Sequence, residues 1–426
     1  MVDYQPYLDD NLTMLRRHIV DRLTDALADT PAVLVNGARQ TGKSTLVQSP
    51  EMAGRGRQYL TFDDPSIVAA AMSDPSGFVA GLETPVTLDE VQHVPELFPV
   101  IKAAIDRKRQ PGRFLLTGSA NVMLLPKISE SLAGRMEVLT LWPFSLGEMR
   151  RTKETFVETL FSHKSVSWTR KTITVSRSDL FESILVGGYP VAITRHSAAR
   201  RDAWFESYVM TTLQRDIRDL ANIADVTAVP RLLSVIAARA GGLLNFADLS
   251  RTVALPQTTL KRYFALLEAT FLVQLLRPWS RNIGKRVIQT PKVYLNDSGL
   301  LAYLLGATVD RVKSDGNLAG MLLENFVVME LRKQTTWSGV QAEVLYWRTA
   351  SGHEVDVVLE DRAGRIAGIE IKAAATLSGS DVRGLQALAN TAGKSWVRGV
   401  VLYAGNEVVP FASNIHGVPM SQLWTT

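Results

Sequence analysis

The segment from Ala32 to Gln48, AVLVNGARQTGKSTLVQ, constrains the fold more than any other stretch of the chain. It opens as an apolar run, turns through glycines and continues as a helix former. Within it, Gly37-x-x-x-x-Gly42-Lys43-Ser44 has the spacing of a phosphate-binding loop. Glycines let main-chain N–H groups wrap a phosphate, and the helix N-terminus adds a favourable dipole. The cradle comprises Gly37, Ala38, Arg39, Gln40, Thr41, Gly42, Lys43, Ser44 and Thr45. Lys43 is expected to neutralise the β- and γ-phosphates of ATP, and the Ser44 hydroxyl to ligate Mg2+. Such a loop follows a buried parallel strand, so the expected fold class is α/β, with a P-loop NTPase sheet in front.

Two more strand ends complete that site. In PVTLDEVQHV, Val86 to Leu88 read as strand and Asp89 closes it. Asp89 is expected to hold Mg2+ through water, and Glu90 to orient and activate the attacking water. RFLLTGSAN reads as another buried strand, whose polar end offers Ser119, or Thr117 as second choice, to the γ-phosphate. In SLAGR, Gly134 reads as a helix C-cap and Arg135 follows it. Arg135 either faces the helix dipole or reaches a γ-phosphate as an arginine finger. The finger would act in its own chain or in a neighbour's, and the latter requires a homo-oligomer.

In GARQTGKST, LDEVQ, LLTGSAN and SLAGR the chain resembles a bacterial and archaeal group of AAA+-type ATPases whose C-terminal half is a domain of unknown function. The resemblance continues through ILVGGYP at 184–190, SYVMTTLQRDI at 207–217 and PKVYLNDSGL at 291–300. It implies ATP binding and slow hydrolysis. The later motifs mark the family without carrying chemistry.

Length and composition bound the remainder. A chain of 426 residues suggests two to three domains. With no cysteine, disulfides and thiolate metal sites are excluded. No secretory signal and no membrane-length apolar run stand out, so a cytoplasmic protein without membrane contact is expected. Charge is uneven: residues 151–313 carry 23 basic against 13 acidic side chains, whereas the flanking thirds are slightly acidic. That excess suits a polyanion or a basic solvated surface.

Residues 145–222 read as a helical lid or bridge over the nucleotide, with Gly187, Gly188 and Pro190 marking a turn. Within it, Arg215 and Arg218 either touch phosphate or pair with nearby aspartates. Residues 226–294 read as three helices and a basic hairpin. Asn245 is a plausible N-cap and Pro256 suits a first turn. That order is the winged-helix form of helix-turn-helix, whose third helix enters the major groove of DNA. Gln257, Thr258, Thr259, Lys261 and Arg262 would line that helix, and Arg281, Lys285 and Arg286 the wing. The alternative is a protein-contact module.

The back third contains HEVDVVLEDRAGRIAGIEIKA, His353 to Ala373. A loop at 362–364 makes Val355–Asp361 and Arg365–Ala373 a hairpin with Asp356 opposite Glu370 and Glu354 opposite Lys372. These four would share one face, and Val355, Val357, Ile369 and Ile371 the other. Opposed carboxylates repel unless a cation lies between them. The order and spacing resemble PD-(D/E)xK nucleases. That resemblance implies a restriction-endonuclease-like domain in which Asp356, Glu370 and Glu324 hold Mg2+ or Mn2+ and Lys372 assists a hydrolytic water. A retained fold without activity is the alternative. The expected division is 1–145 ATPase core, 146–225 lid, 226–312 winged helix and 313–426 nuclease-like domain.

Overall fold

The structure, a computed structural model, describes residues 15–426 except 54–55, 120–131, 163–167, 169–174, 221–227, 283, 285 and 287–288; for 214–220 it describes the backbone alone. The front part is a parallel sheet of β1 (Ala32–Asn36), β2 (Gln58–Thr61), β3 (Val86–Asp89), β4 (Phe114–Gly118) and β5 (Met136–Thr140), in the order β2-β3-β4-β1-β5. Every residue of β1 and β4 is buried. A parallel sheet is covered by helices on both faces, so these strands are continuous apolar runs rather than alternating ones. Val33 and Val35 pack on Leu23 and Leu27 of α1 (Ile19–Asp29). The short helix α2 (Lys43–Val47) follows the loop after β1. On the opposite face, Leu34 and Leu116 pack on Phe98, Ile101 and Ile105 of α3 (Leu97–Arg107).

Register aligns the strand ends. Asn36 lies beside Gly118, Leu88 beside Leu116, and Thr61 beside Asp89. The glycine loop, Asp89 and Ser119 therefore leave the sheet along one carboxyl edge, with β4 between β1 and β3. Open α/β sheets bind ligands at such an edge.

The described part of 146–220 is helical, from α4 (Leu146–Arg150) to α5 (Ala198–Leu220). Then come α6 (Ala228–Ala237), α7 (Phe246–Val253) and α8 (Gln257–Ala269). The Asn245 side chain accepts the N–H groups of Ala247 and Asp248, capping α7 as its residue type suggests. β6 (Val273–Pro278) and β7 (Lys292–Leu295) form an antiparallel hairpin, and Leu243 bridges Lys292 alongside it.

After α9 (Ser298–Leu305) comes α10 (Gly316–Trp337), whose Leu322, Leu323, Val327 and Leu331 are fully buried. The strands β8 (Ala342–Arg348), β9 (Glu354–Asp361), β10 (Ile366–Lys372), β11 (Trp396–Tyr403), β12 (Val409–Ala412) and β13 (Ile415–Pro419) follow. They join β6 and β7 in a single sheet of order β12-β13-β11-β10-β9-β8-β6-β7. Arg277 and Pro278 of β6 pair parallel with Leu345 and Tyr346 of β8. One sheet thus crosses the expected boundary between 226–312 and 313–426, and one apolar core includes Trp142, Tyr294, Phe326 and Trp424.

The β9–β10 ladder runs from Glu360 opposite Ile366 to Val357 opposite Ile369. That is the register a loop at 362–364 dictates. A β-bulge corrects one detail. Leu345 pairs Val358 but Trp347 pairs Val355, so Asp356 and Val357 together face Tyr346. Val355 consequently packs with Leu385 of α11 (Arg383–Ala392), while Val357 packs in the other core with Ile369 and Ile371. The expectation that Val355 and Val357 share a face fails because this extra residue turns the strand.

Candidate nucleotide site and acidic cluster

The phosphate-loop geometry follows from its glycines. Gly37 has φ 146°, Gln40 φ 59° and Gly42 φ 92°. A Cβ on Gly37 would stand 2.2 Å from the carbonyl oxygen of Leu141, so no side chain fits there. Lys43, at the first position of α2, donates from Nζ to the carbonyls of Gly37 (3.1 Å) and Ala38 (2.9 Å). Thr41 Oγ1 donates to Ala38 O. Arg17 braces the loop from outside: it donates to Thr41 O at 2.9 Å, to Trp142 O and to Glu148 Oε1.

The acidic strand end is held by hydroxyls. Asp89 is buried and accepts from Tyr59 Oη at 2.7 Å and from Thr117 Oγ1. The same Thr117 hydroxyl accepts the Glu90 N–H at 3.0 Å. Glu90 stands at φ 57°, a left-handed conformation that turns its side chain out of the strand. Gln92 Nε2 donates to Glu90 Oε2 and to Ser119 Oγ, the latter at 3.0 Å. Burial pushes the Glu90 carboxyl up, but the charge of Lys43, the Gln92 bond, the charge of Arg39 and the Ser119 bond outweigh it, and its pKa ends below the ordinary 4.5. Lys43, Asp89, Glu90 and Ser119 are thus brought to one edge. Thr117, second choice as a γ-phosphate contact, fixes the two acids instead. Gln92 and Tyr59 were missed. Gln92 stands inside the LDEVQ motif, two residues after Glu90, which was the available signal.

Arg135 lies elsewhere. It precedes Met136, which pairs with Ala32 at the start of β1, so it occupies the amino edge of the sheet. A five-residue strand separates it from its own phosphate loop, roughly 17 Å at ~3.3 Å per residue. Its guanidinium pairs with Asp106 of α3. The expected reach to a γ-phosphate in its own chain is therefore corrected by the length of β1.

A cavity of about 660 Å3 opens beside α2. Arg17, Val20, Thr45 and Leu46 line one side, and Pro190, Val191 and Ile193 face them from the expected lid. Hydrogen bonds run on from the loop into the lid. Tyr208 Oη of α5 donates to Arg39 O at 3.4 Å and shares a bond with Tyr189 Oη, which accepts from Asn296 Nδ2 at 2.8 Å. Asp297 accepts the N–H groups of Gly188 and Leu300. The motifs ILVGGYP and PKVYLNDSGL are thus two halves of one interlock. A Cβ on Gly187 would stand 2.2 Å from Asp297 Oδ1.

On α8, Gln257, Thr258, Lys261 and Arg262 are exposed and Thr259 is half-buried. Arg281 is exposed, and Lys285 lies outside the described residues. Arg286 is not a free wing cation. It forms a two-pronged ion pair with Glu360 of β9 and donates to Ser280 O at 2.7 Å. The reason is the shared sheet, which carries the hairpin loop over β9. The side chains of Arg215 and Arg218 lie outside the described residues.

The acidic cluster is real but already contains a cation. Lys292 of β7, 4% exposed, places Nζ 3.0 Å from Glu324 Oε1 and 2.6 Å from Glu354 Oε1. Tyr294 Oη donates to Glu324 Oε1 at 2.7 Å. Lys372 Nζ lies 2.8 Å from Glu370 Oε1, and Asp356 Oδ2 accepts the Ile371 N–H at 2.9 Å. Burial pushes the Asp356 carboxyl well up, helped by the charges of Glu370 and Glu324 and opposed by Lys292. Among the described residues, no group of three or more His, Cys, Asp or Glu could hold a metal ion. The expected metal set of Glu324, Asp356 and Glu370 does not converge, because Glu324 is turned to Lys292 and Tyr294. Sequence spacing had no means of finding Lys292, which comes from another hairpin.

The sheet order, glycine loop and paired acidic residues are those of a P-loop domain, and an AAA domain family model matches residues 29–150. Two domains of unknown function match farther on, DUF8612 over 177–311 and DUF4143 over 319–423. The uncharacterized proteins Mb2031c of Mycobacterium bovis and Rv2008c of Mycobacterium tuberculosis are each 33% identical to the chain over 414 residues, covering 96% of it and 85% of themselves. The chain belongs to the family of these two mycobacterial proteins. Among solved structures it is similar to the Walker-type ATPase PABY2304 of Pyrococcus abyssi, at 16% identity and TM-score 0.43, over 69% of this chain and 97% of that one. It is also similar to the RuvB Holliday junction branch migration motor of Thermotoga maritima, at 16% identity and TM-score 0.26, over 60% and 88%. Among the described residues, no helix is long and apolar enough to cross a membrane.

Proposed function

We propose that the protein is a Mg2+-dependent AAA+-like ATPase that acts on DNA through the exposed face of α8. The observation that carries the ATPase reading is the meeting of Lys43, Asp89, Glu90 and Ser119 at one sheet edge. The donors suit Mg2+: the Ser44 hydroxyl and the buried Asp89 carboxylate are hard oxygen ligands. Ser44 directly and Asp89 through water would hold the ion, which would supply positive charge to neutralise the phosphates. Lys43 adds a second positive charge there. Glu90, kept ionised, accepts the proton of the attacking water, and Gln92 with Ser119 holds that carboxylate in place. The cavity facing Pro190 and Val191 receives the base. Arg135, on the far edge, serves a neighbouring copy's phosphate in a homo-oligomer.

The order α6, Leu243 bridge, α7, α8 and β6–β7 hairpin supports a winged-helix reading, and the basic excess lies in this part. A second reading, a nucleotide switch with a silent nuclease-like fold and a protein partner on α8, is favoured by the loss of Arg286 to Glu360.

Phosphate release tests the first claim. Lys43→Ala and Glu90→Gln should each lower turnover about 100-fold or more, and only the former should weaken ATP binding. Unchanged turnover in both removes the ATPase assignment. Fluorescence anisotropy with duplex DNA tests the second: Lys261→Ala with Arg262→Ala should weaken binding and lower its salt slope by about 1 to 2. Wild-type protein that retains no DNA at low salt favours the switch.

A further inference from the structure

A PD-(D/E)xK-like hairpin implies a divalent metal, and the residues around it fit one poorly. Lys292 comes from β7, on a different hairpin from Asp356 and Glu370, yet its ammonium lies between Glu324 of α10 and Glu354 of β9. It is almost fully buried, and its ammonium lies over the Tyr346 ring, 5.6 Å from the centroid. Tyr294, two residues along the same strand, donates to the same Glu324 oxygen. Glu370 is engaged by Lys372 through Oε1, and its Oε2 has no hydrogen-bond partner among the described residues. The cluster therefore has two ammonium groups interleaved with its carboxylates.

We infer that Lys292 is the resident cation of this cluster, occupying the charge-neutralising position that a divalent ion would take. Lys292 donates to Glu324 and Glu354, and its charge opposes the rise that burial, Glu370 and Glu324 impose on the Asp356 carboxyl, so a single ammonium already serves three of the four carboxylates. The consequence is structural rather than hydrolytic: the ammonium staples the β6–β7 hairpin to α10 and β9. Its geometry carries this inference independently of whether the front sheet hydrolyses ATP.

The test is Mn2+ uptake by full-length, nucleotide-free protein, followed by the loss of the free Mn2+ signal in electron paramagnetic resonance. Wild-type protein should take up no Mn2+ that depends on Glu370, so Glu370→Gln should leave its titration unchanged. Lys292→Gln, which keeps volume and hydrogen-bonding capacity, should gain one equivalent at an affinity at least ten-fold above wild type. Lys292→Gln with Glu370→Gln should lose that equivalent. Wild-type uptake of one equivalent that Glu370→Gln or Asp356→Asn abolishes overturns the inference. So does a folded Lys292→Gln variant that binds no more than wild type. Should Lys292→Gln fail to fold, wild type against Asp356→Asn decides alone: identical titrations support the resident ammonium, and uptake lost in the variant overturns it.

Discussion

One hydroxyl, that of Thr117, ties the two acids of the ATPase site together. It donates to the Asp89 carboxylate and accepts the Glu90 N–H. Thr117→Val keeps the shape and removes both bonds. Turnover should fall about 10-fold or more through misplacement of Glu90, with nucleotide affinity changed far less, and Thr117→Ser should restore it. Stopped-flow phosphate release and titration with a fluorescent ATP analogue separate the two effects. Because the pKa of Glu90 ends below 4.5, its contribution as a base is present above that value and lost only as pH falls through its lowered value. The kcat profile should show no acid limb from Glu90 between pH 6 and 8, values within roughly two units of a histidine's range. At this scale the sequence was most legible, since the loop and acidic motif are local spacings. Which of Thr117 and Ser119 meets Asp89 depends on where β4 ends relative to β3, and that is a register between strands.

Around α4, one element concentrates buried charge. Ser145 and Glu148 form a capping box, and Glu148 also receives Arg17 and the His18 N–H. Glu154 accepts from Ser145 Oγ and lies 3.1 Å from His18 Nδ1. Glu330 of α10 accepts the Leu146 N–H and pairs with Lys333 at 2.6 Å. Burial pushes the Glu330 carboxyl up to about 7, with Lys333 opposing and Glu154 assisting. Burial also raises Glu154, against the His18 bond. His18 is lowered by burial but raised more by its Glu154 bond and the nearby carboxylates. The two acids hold protons that the unfolded chain releases above 4.5, so their contribution falls as pH rises from 4.5 toward 7. The His18 contribution is full below 6.5 and lost as pH rises through its raised value. All three have the same sign. The melting temperature should therefore fall between about pH 5 and 8, and Glu330→Gln should flatten that fall, as calorimetry can show. Lys333→Met should instead extend that fall to higher pH, because Glu330 loses the cation that opposes its upward shift. Elements themselves were readable from pattern: a loop at 362–364 set the β9–β10 register, and Asn245 marked a helix start. The bulge at Asp356 and Val357 was not readable, because it arises from pairing with β8, a strand that a single hairpin does not contain.

Across the whole molecule, the sheet that joins β6 to β8 makes the middle and the back one body. A chain ending at residue 312 would strip β8 from β6 and expose core side chains such as Leu276 and Tyr294. A fragment confined to residues 226–312 should likewise lose cooperative melting, read by circular dichroism; a sharp transition of that fragment would restore an independent unit there. This joining was hidden in the sequence because its partners, Arg277 and Leu345, are distant along the chain, and only packing chooses between rival strands. The same long range hid Lys292 and the Arg286–Glu360 pair.

Strand β7 has two very different neighbours. Past its carboxyl end, Asn296 reaches Tyr189 and, through Tyr208, the carbonyl of Arg39 in the phosphate loop. At its other end Lys292 is clamped between Glu324 and Glu354. Four residues of one strand thus link the two contacts. A triphosphate accepts from the loop N–H groups, so it would bear on the peptide whose Arg39 carbonyl ends this chain of bonds, and a probe at either end of β7 should report on events at the other.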